Sequence, residues 1–263
     1  MDLISLSPVD LGLAAGLVLL LGGLTTTMQL GLTRSLLWSS VRMVVQLLLV
    51  GLVLEALFSA RAPLWIILMA LGMGLLAGRE VMARQRRRLT GWWGFGVGAV
   101  AMMLPAFSIM LLTLTVIIQV DPWYEPQYAI PLLGMILGNT MNGIGLGLNQ
   151  LTEGAWQQRD KIEGRLVLGY TSTEAVRGLK SESIRTGLIP VINMLTAAGV
   201  VSLPGMMTGQ ILSGTEPVEA VKYQILIMFL IAAGTGLGTV AAVWLGAKRL
   251  FDDRERLRLD RLR

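Results

Sequence analysis

Apolar residues come in long runs along this chain, and the polar stretches between them carry nearly all of the charge. A helix needs roughly 20 apolar residues to cross about 30 Å of hydrocarbon. Seven runs approach or exceed that length: Val9 to Leu32, Met43 to Phe58, Pro63 to Gly78, Phe95 to Gln119, Tyr128 to Asn149, Thr186 to Leu203 and Val221 to Ala247. The second and third are short. Between them Ser59 to Ala62 holds a charge and precedes Pro63, which predicts a tight hairpin in preference to a re-entrant loop. The expected fold class is all-α: a polytopic membrane protein of about seven transmembrane helices, one transmembrane domain over residues 1–263.

The charged positions sort by side. Of the 22 basic residues, all but Arg61 and Lys222 fall in alternate loops and the tail. Arg34 and Arg42 lie in the first loop, Arg79, Arg84, Arg86, Arg87 and Arg88 in the third, and Arg159, Lys161, Arg165, Arg177, Lys180 and Arg185 in the fifth. The tail, 248–263, carries the rest. The opposite loops hold Asp121, Glu125, Glu216 and Glu219. Basic loops stay on the cytoplasmic side, so the N-terminus is expected outside and the C-terminus in the cytoplasm, as an odd number of spans requires. Trp92, Trp93, Trp123 and Tyr124 sit at span ends, where amphipathic rings belong. No basic segment precedes the first run, so it does not read as a cleaved signal peptide.

One run inside the fifth span breaks the apolar pattern. Gly138 to Gln150 contains Asn139, Asn142 and Asn149 among four glycines. At 100° per residue the three asparagines share an arc of roughly 80°. An unpaired amide in hydrocarbon costs several kcal/mol, on the order of the water-to-alkane penalty, so this face is expected to be shielded from lipid. Two readings stand: a polar seam lining a substrate route, or a helix contact zipped by small residues, since Gly134–Gly138 and Gly143–Gly147 have small-xxx-small spacing. Other polar residues inside spans are Gln46, Glu55, Gln119 and Asn193. Glu55 is either a functional intramembrane carboxylate or a boundary residue paired with Arg61. Thr25 to Thr27 make the end of the first span polar, but Thr hydroxyls satisfy their own helix carbonyls.

Composition narrows the chemistry. Cys and His are absent, which removes disulfides and the usual zinc or haem sites. The 15 methionines either guide a soft metal or serve as adaptable packing. A pI near 10.0 does not indicate nucleic acid, because the basic residues are dispersed beside apolar spans and not gathered on one face. No phosphate-binding GxxxxGK[ST] run, no nucleophile–base pair and no acidic dyad occurs. Catalysis and cofactors are not expected in this chain; ATP and magnesium belong to a separate subunit if transport is ATP-driven.

Two further features concern partners. The cytoplasmic loop 151–185 is long and partly apolar, with Leu166, Val167, Leu168 and Tyr170 in a strip. Thr171 to Glu174 fits a capping box opening a short helix. Pro105 and Pro190 are expected to bend their spans. Pro204-Gly205 ends the sixth span in what reads as a re-entrant or gate element. The tail beyond Phe251 alternates Leu with Arg and Asp, which suggests an amphipathic helix near headgroups or on a partner.

Taken in order, Met135 to Gly143, then Leu168-Gly169 with Thr173-Glu174-Ala175, then Ser202 to Gly209, resemble the FetB-type ABC transporter permeases, over nearly the whole chain. The family includes a bacterial iron-export permease and plant aluminium-tolerance relatives. The resemblance implies a permease domain in the bacterial inner membrane, two copies of it, and a cytosolic ATPase of the FetA type. It further implies ATP-driven export, with iron as cargo and a part in metal homeostasis and oxidative-stress resistance. Asn139, Asn142, Asn149, Gln46 and Glu55 are the candidate pathway residues. Glu174, Ala175 and Gly178, loosely similar to the ATPase-gripping loop of import permeases, are the candidate coupling residues. The alternatives are a permease for an organic solute such as a nucleotide-sugar, and a membrane scaffold or sensor that recruits a cytosolic protein.

Overall fold

The structure is a computed structural model that describes residues 7–60, 63–83 and 85–262. Arg61, Arg84 and Arg263, and with Arg61 the expected Glu55–Arg61 pair, lie outside the described residues, as do the side chains of Trp92 and Trp93. Among the described residues the regular structure is helical, with three isolated β-bridges.

The chain divides into two compact units. The first is built on α1 (Pro8–Thr27) and α2 (Thr33–Ala60). Ser7 and Asp10 form a capping box at the start of α1, with Pro8 in the first turn. Gln29 and Gly31, both at positive φ, end α1 and turn the chain into α2. Thr25 and Thr26 each meet the Thr33 hydroxyl at 2.9 Å, and both donate to the Gly22 carbonyl. The polar end of this span is therefore a stitched turn. Beyond it both helices are mostly apolar and exposed over most of their surface: Leu13, Leu17 and Leu20 are 69–72% exposed, which suits a lipid environment.

The second unit holds α3 (Pro63–Ala83), α4 (Trp92–Leu112, continued by a π turn to Ile117), α5 (Pro126–Gln157), α6 (Arg159–Val167), α7 (Ser172–Ala175), α8 (Arg177–Ala197), α9 (Gly205–Leu212) apart from its last residue, and α10 (Pro217–Arg249). The 32-residue α5 lies at its centre, packed on α3, α4, α8 and α10. Leu133, Ile136, Ile144, Leu148 and Leu151 from α5 are fully buried. Glycines let the backbones approach. A Cβ added at Gly187 of α8 would lie 2.6 Å from the Gly143 carbonyl oxygen of α5, and one at Gly78 of α3 would lie 3.2 Å from the Ala99 Cα of α4. Such small-residue contacts supply packing where lipid removes the hydrophobic drive between helices.

Six described helices are long and apolar enough to cross a membrane: α1, α2, α3, α4 with its π turn, α5 and α10. The expected sixth span, Thr186 to Leu203, is the difference from about seven. It lies in α8, which begins at Arg177, carries Lys180, Glu182 and Arg185, and stops at Ala197. Its apolar half is short. Elsewhere the helices outrun the apolar windows: α2 starts ten residues before Met43, and α5 and α10 run on to Gln157 and Arg249. Hydropathy reports the bilayer, while helical hydrogen bonding continues past it. Pro105 and Pro190 sit inside continuous helices, as does Pro131 of α5.

The tail departs from expectation. It is not an amphipathic helix. Asp252 accepts hydrogen bonds from the backbone N–H of Arg254 and Arg256, Phe251 bridges to Leu257, and Leu262 bridges to Leu89. The Leu/Arg alternation has the period of extended chain, and the tail folds back on the 85–90 loop accordingly.

Candidate functional site

The helix α5 has two faces. Thr140, Gly143, Ile144, Gly147, Leu148 and Leu151 form the buried one, against α8 and α10. Relative to Asn139 they span about 40–180°, whereas Asn142 and Asn149 lie at about 300° and 280°. The amides thus occupy the opposite edge. Asn139 is half-buried and donates to the Met135 carbonyl at 2.9 Å. Asn142 is exposed in the middle of the helix, beside the exposed Leu146. Asn149 is half-buried and accepts the backbone N–H of Arg86 at 3.1 Å. That bond gives Asn149 a positioning role: together with the Arg87–Glu153 ion pair (3.4 Å) and Arg87 stacked 4.0 Å over Trp156, it fastens the loop after α3 to the end of α5.

Gln46 and Glu55 stand on α2, in the first unit, and both are exposed. Gln46 accepts from Arg42 Nε at 3.4 Å, one turn back on its own helix. The asparagines belong to the second unit.

The loop 151–185 is built from the end of α5 together with α6, α7 and the start of α8. The expected capping box is present. Thr171 caps α7, and the Glu174 carboxylate accepts from the Thr171 backbone N–H and hydroxyl at 3.0 and 2.8 Å. Those two donors, the backbone one first, hold its pKa below the usual carboxylate range. The helix lasts one turn, because Val176 leaves helical geometry before α8 begins. Glu174 is exposed, Ala175 is buried and accepts Arg165 Nη1 on its carbonyl at 2.9 Å, and Gly178 is exposed. Ala175 and Gly178 line a cavity of about 200 Å³ with Arg165, Leu179 and Glu182. The most exposed apolar side chains of this loop lie just before the cap: Val167, Leu168 and Tyr170 are 86%, 78% and 52% exposed. They crown the α6–α7 turn, where Gly169 takes φ +87°. The sequence shows this strip, but only the structure makes it an apex.

A second apolar–polar recess of about 390 Å³ lies beside it, lined by Ser172, Lys180, Trp244, Phe251 and Asp252 among others. Glu255 reaches the Ser172 backbone N–H at 3.3 Å, tying the tail to the loop.

Residues missed by sequence reasoning are the threonines of the buried face. Thr140, Thr235 and Thr239 lie where α5 meets α10. Their signal was their place among helical glycines, Asn139-Thr140 in the amide run and Gly234 to Thr239 in α10.

The uncharacterised protein family UPF0014 matches residues 8–251. The UPF0014 membrane protein slr1647 of Synechocystis is 39% identical over 97% of this chain and 98% of its own length. The probable iron export permease protein FetB of Escherichia coli is 32% identical, over 89% and 88%. The protein ALUMINUM SENSITIVE 3 of Arabidopsis thaliana is also 32% identical, over 88% and 84%. No solved structure matches. With a family match over residues 8–251 and relatives that align over 84–98% of their own length with an all-helical, multi-pass chain, this protein belongs to the UPF0014 family.

Proposed function

We infer that the chain is the membrane permease subunit of an ATP-driven exporter whose cargo is iron. The observation that carries this reading is the amide edge of α5: an exposed asparagine, Asn142, with Asn139 beside it, halfway along a 32-residue membrane-length helix. Amides facing acyl chains would be costly. An edge of this kind is accounted for by a wet passage, and two copies of the chain facing one another across it would enclose one. Amide oxygens are hard donors that coordinate a passing cation without holding it. The cargo assignment draws on the relative named as a probable iron export permease.

Work enters at the charged end. The apex of Val167, Leu168 and Tyr170 offers apolar area to a cytosolic partner. A FetA-type ATPase seated there binds the ATP and magnesium. Glu174, Ala175 and Gly178 transmit its motion, Glu174 by holding the cap that turns the apex into α8. The inner membrane of a bacterium, with the basic loops and C-terminus in the cytoplasm, is the matching location.

The test is reconstitution of the chain with its ATPase in iron-loaded or iron-bathed vesicles. Iron(II) is expected to stimulate ATP hydrolysis and to move with it, and Asn142→Leu to lower transport at least tenfold while the protein still inserts. Wild-type rates from Asn142→Leu, or hydrolysis indifferent to iron, would refute the reading.

A further inference from the structure

The contact between α5, α8 and α10 is a seam of glycines: Gly143 and Gly147 from α5, Gly187 from α8, Gly234 and Gly238 from α10. Glycines alone would be packing. What sets this seam apart is the group of hydroxyls in it. Thr140 and Thr239 are fully buried and Thr235 is 2% exposed, and none of the three Oγ1 atoms has a hydrogen-bond partner.

That is not how buried hydroxyls behave elsewhere in this bundle. Thr113, Thr152 and Ser183 are equally buried, and each donates to the carbonyl one turn back at 2.7–3.0 Å. The difference lies in what the methyl groups meet. Thr140 lays its Cγ2 on Gly238, Thr235 on Gly143, and Thr239 on both Gly147 and Gly187. The glycines accept the methyls, and the hydroxyls are left inside the seam: the Thr239 Oγ1 would lie 2.8 Å from a Cβ at Gly143, and the Thr140 Oγ1 3.3 Å from one at Gly234. Valine has the same shape and would remove the unmatched oxygen, so stability does not account for threonine at three places. A function that uses the oxygens does. Glycine-to-methyl contacts also part and close without unlocking long side chains.

We propose that the α5–α8–α10 seam opens to form a polar site for a hydrated hard cation, with Thr140, Thr235 and Thr239 as its oxygen donors. In the closed form the hydroxyls have no surface open to bulk solvent. When α10 parts from α5 they take up water and the water shell of the ion, acting as acceptors toward the metal and as donors toward the surrounding solvent. Neutral hydroxyls hold such an ion weakly, as a site that releases must. This site is distinct from the amide edge, on the opposite face of α5, and it rests on the permease reading for the identity of the ion and for the ATPase that drives the opening.

The chain contains no cysteine, so one introduced thiol reports on water. In membranes carrying the full-length chain and its ATPase, with ATP, Thr239→Cys is expected to react with a small cationic methanethiosulfonate at least tenfold faster than Thr113→Cys, which is equally buried but outside the seam. Equal slow rates would overturn the proposal. Thr140→Val and Thr239→Val are expected to melt no lower than the wild type and to cut iron(II) efflux from vesicles at least tenfold. Efflux at the wild-type rate would overturn the role of the hydroxyls. If the wild type moves no iron but Thr239→Cys still reacts quickly, the opening seam stands and the iron reading fails.

Discussion

Gly238 and Gly236 sit two residues apart on α10 and make a controlled pair. A Cβ at Gly238 would lie 2.6 Å from the Thr140 methyl, 3.2 Å from the Ala101 carbonyl oxygen and 3.3 Å from Ile144 Cδ1. A Cβ at Gly236 would meet only Leu188 Cδ2 at 4.0 Å. Replacing either by alanine gains about 1 kcal/mol of helix propensity, largely through the unfolded chain. That gain is common to both, so the difference between the variants isolates packing. Overfilling a close-packed contact costs about 1–3 kcal/mol. The upper half of that range applies at Gly238, because two of its three neighbours are held by a helix backbone or a packed methyl. Gly236→Ala should be neutral or stabilising, and Gly238→Ala about 2–3 kcal/mol below it, which for a chain of this size is a gap of roughly 4–12 °C. Thermal unfolding in one detergent, followed by tryptophan fluorescence, measures it. Equal midpoints would refute the claim that α5 and α10 touch through the Gly238–Thr140 contact.

Four other outcomes follow, two from the geometry and two from the proposed coupling to an ATPase. Asn149→Ala removes the acceptor of the Arg86 N–H at a partly exposed site, costs about 0.5–1 kcal/mol, and should speed tryptic cleavage at Arg86 to Arg88; unchanged cleavage would count against its positioning role. Asp252 has its pKa lowered from 3.8 to about 2, chiefly by the Arg256 backbone N–H. Its contribution to the tail is therefore complete above about pH 4 and lost as the pH falls through about 2. Peptic cleavage between Phe251 and Leu262 should rise over that window in the wild type, while Asp252→Asn is already susceptible at pH 4. Val167→Asp with Leu168→Asp alters only exposed side chains, so melting should hold while co-purification of the ATPase falls at least tenfold; Glu174→Arg should leave binding but lose iron-stimulated hydrolysis. Full binding by the first variant would remove the apex, and normal coupling in the second would remove the cap.

Membrane residence, the helical class and six of the seven expected spans follow from the apolar runs, because a bilayer imposes a fixed thickness on any chain that crosses it. The Thr171–Glu174 cap follows from four adjacent residues, because its bonds are local. The family resemblance, carried by the segments around Asn139, Glu174 and Pro204, is sustained by relatives aligned over nearly the whole length. The direction in which α5 faces is different in kind. Periodicity put the asparagines on one side, yet which side packs depends on Gly187, Gly234 and Gly238, tens of residues away. Tertiary structure turned Thr140 inward and Asn142 outward, gave Asn149 a backbone amide to hold, and folded the tail onto Leu89. Local patterns are set by neighbours in sequence; the partners of a face are set by which distant helices leave room for it.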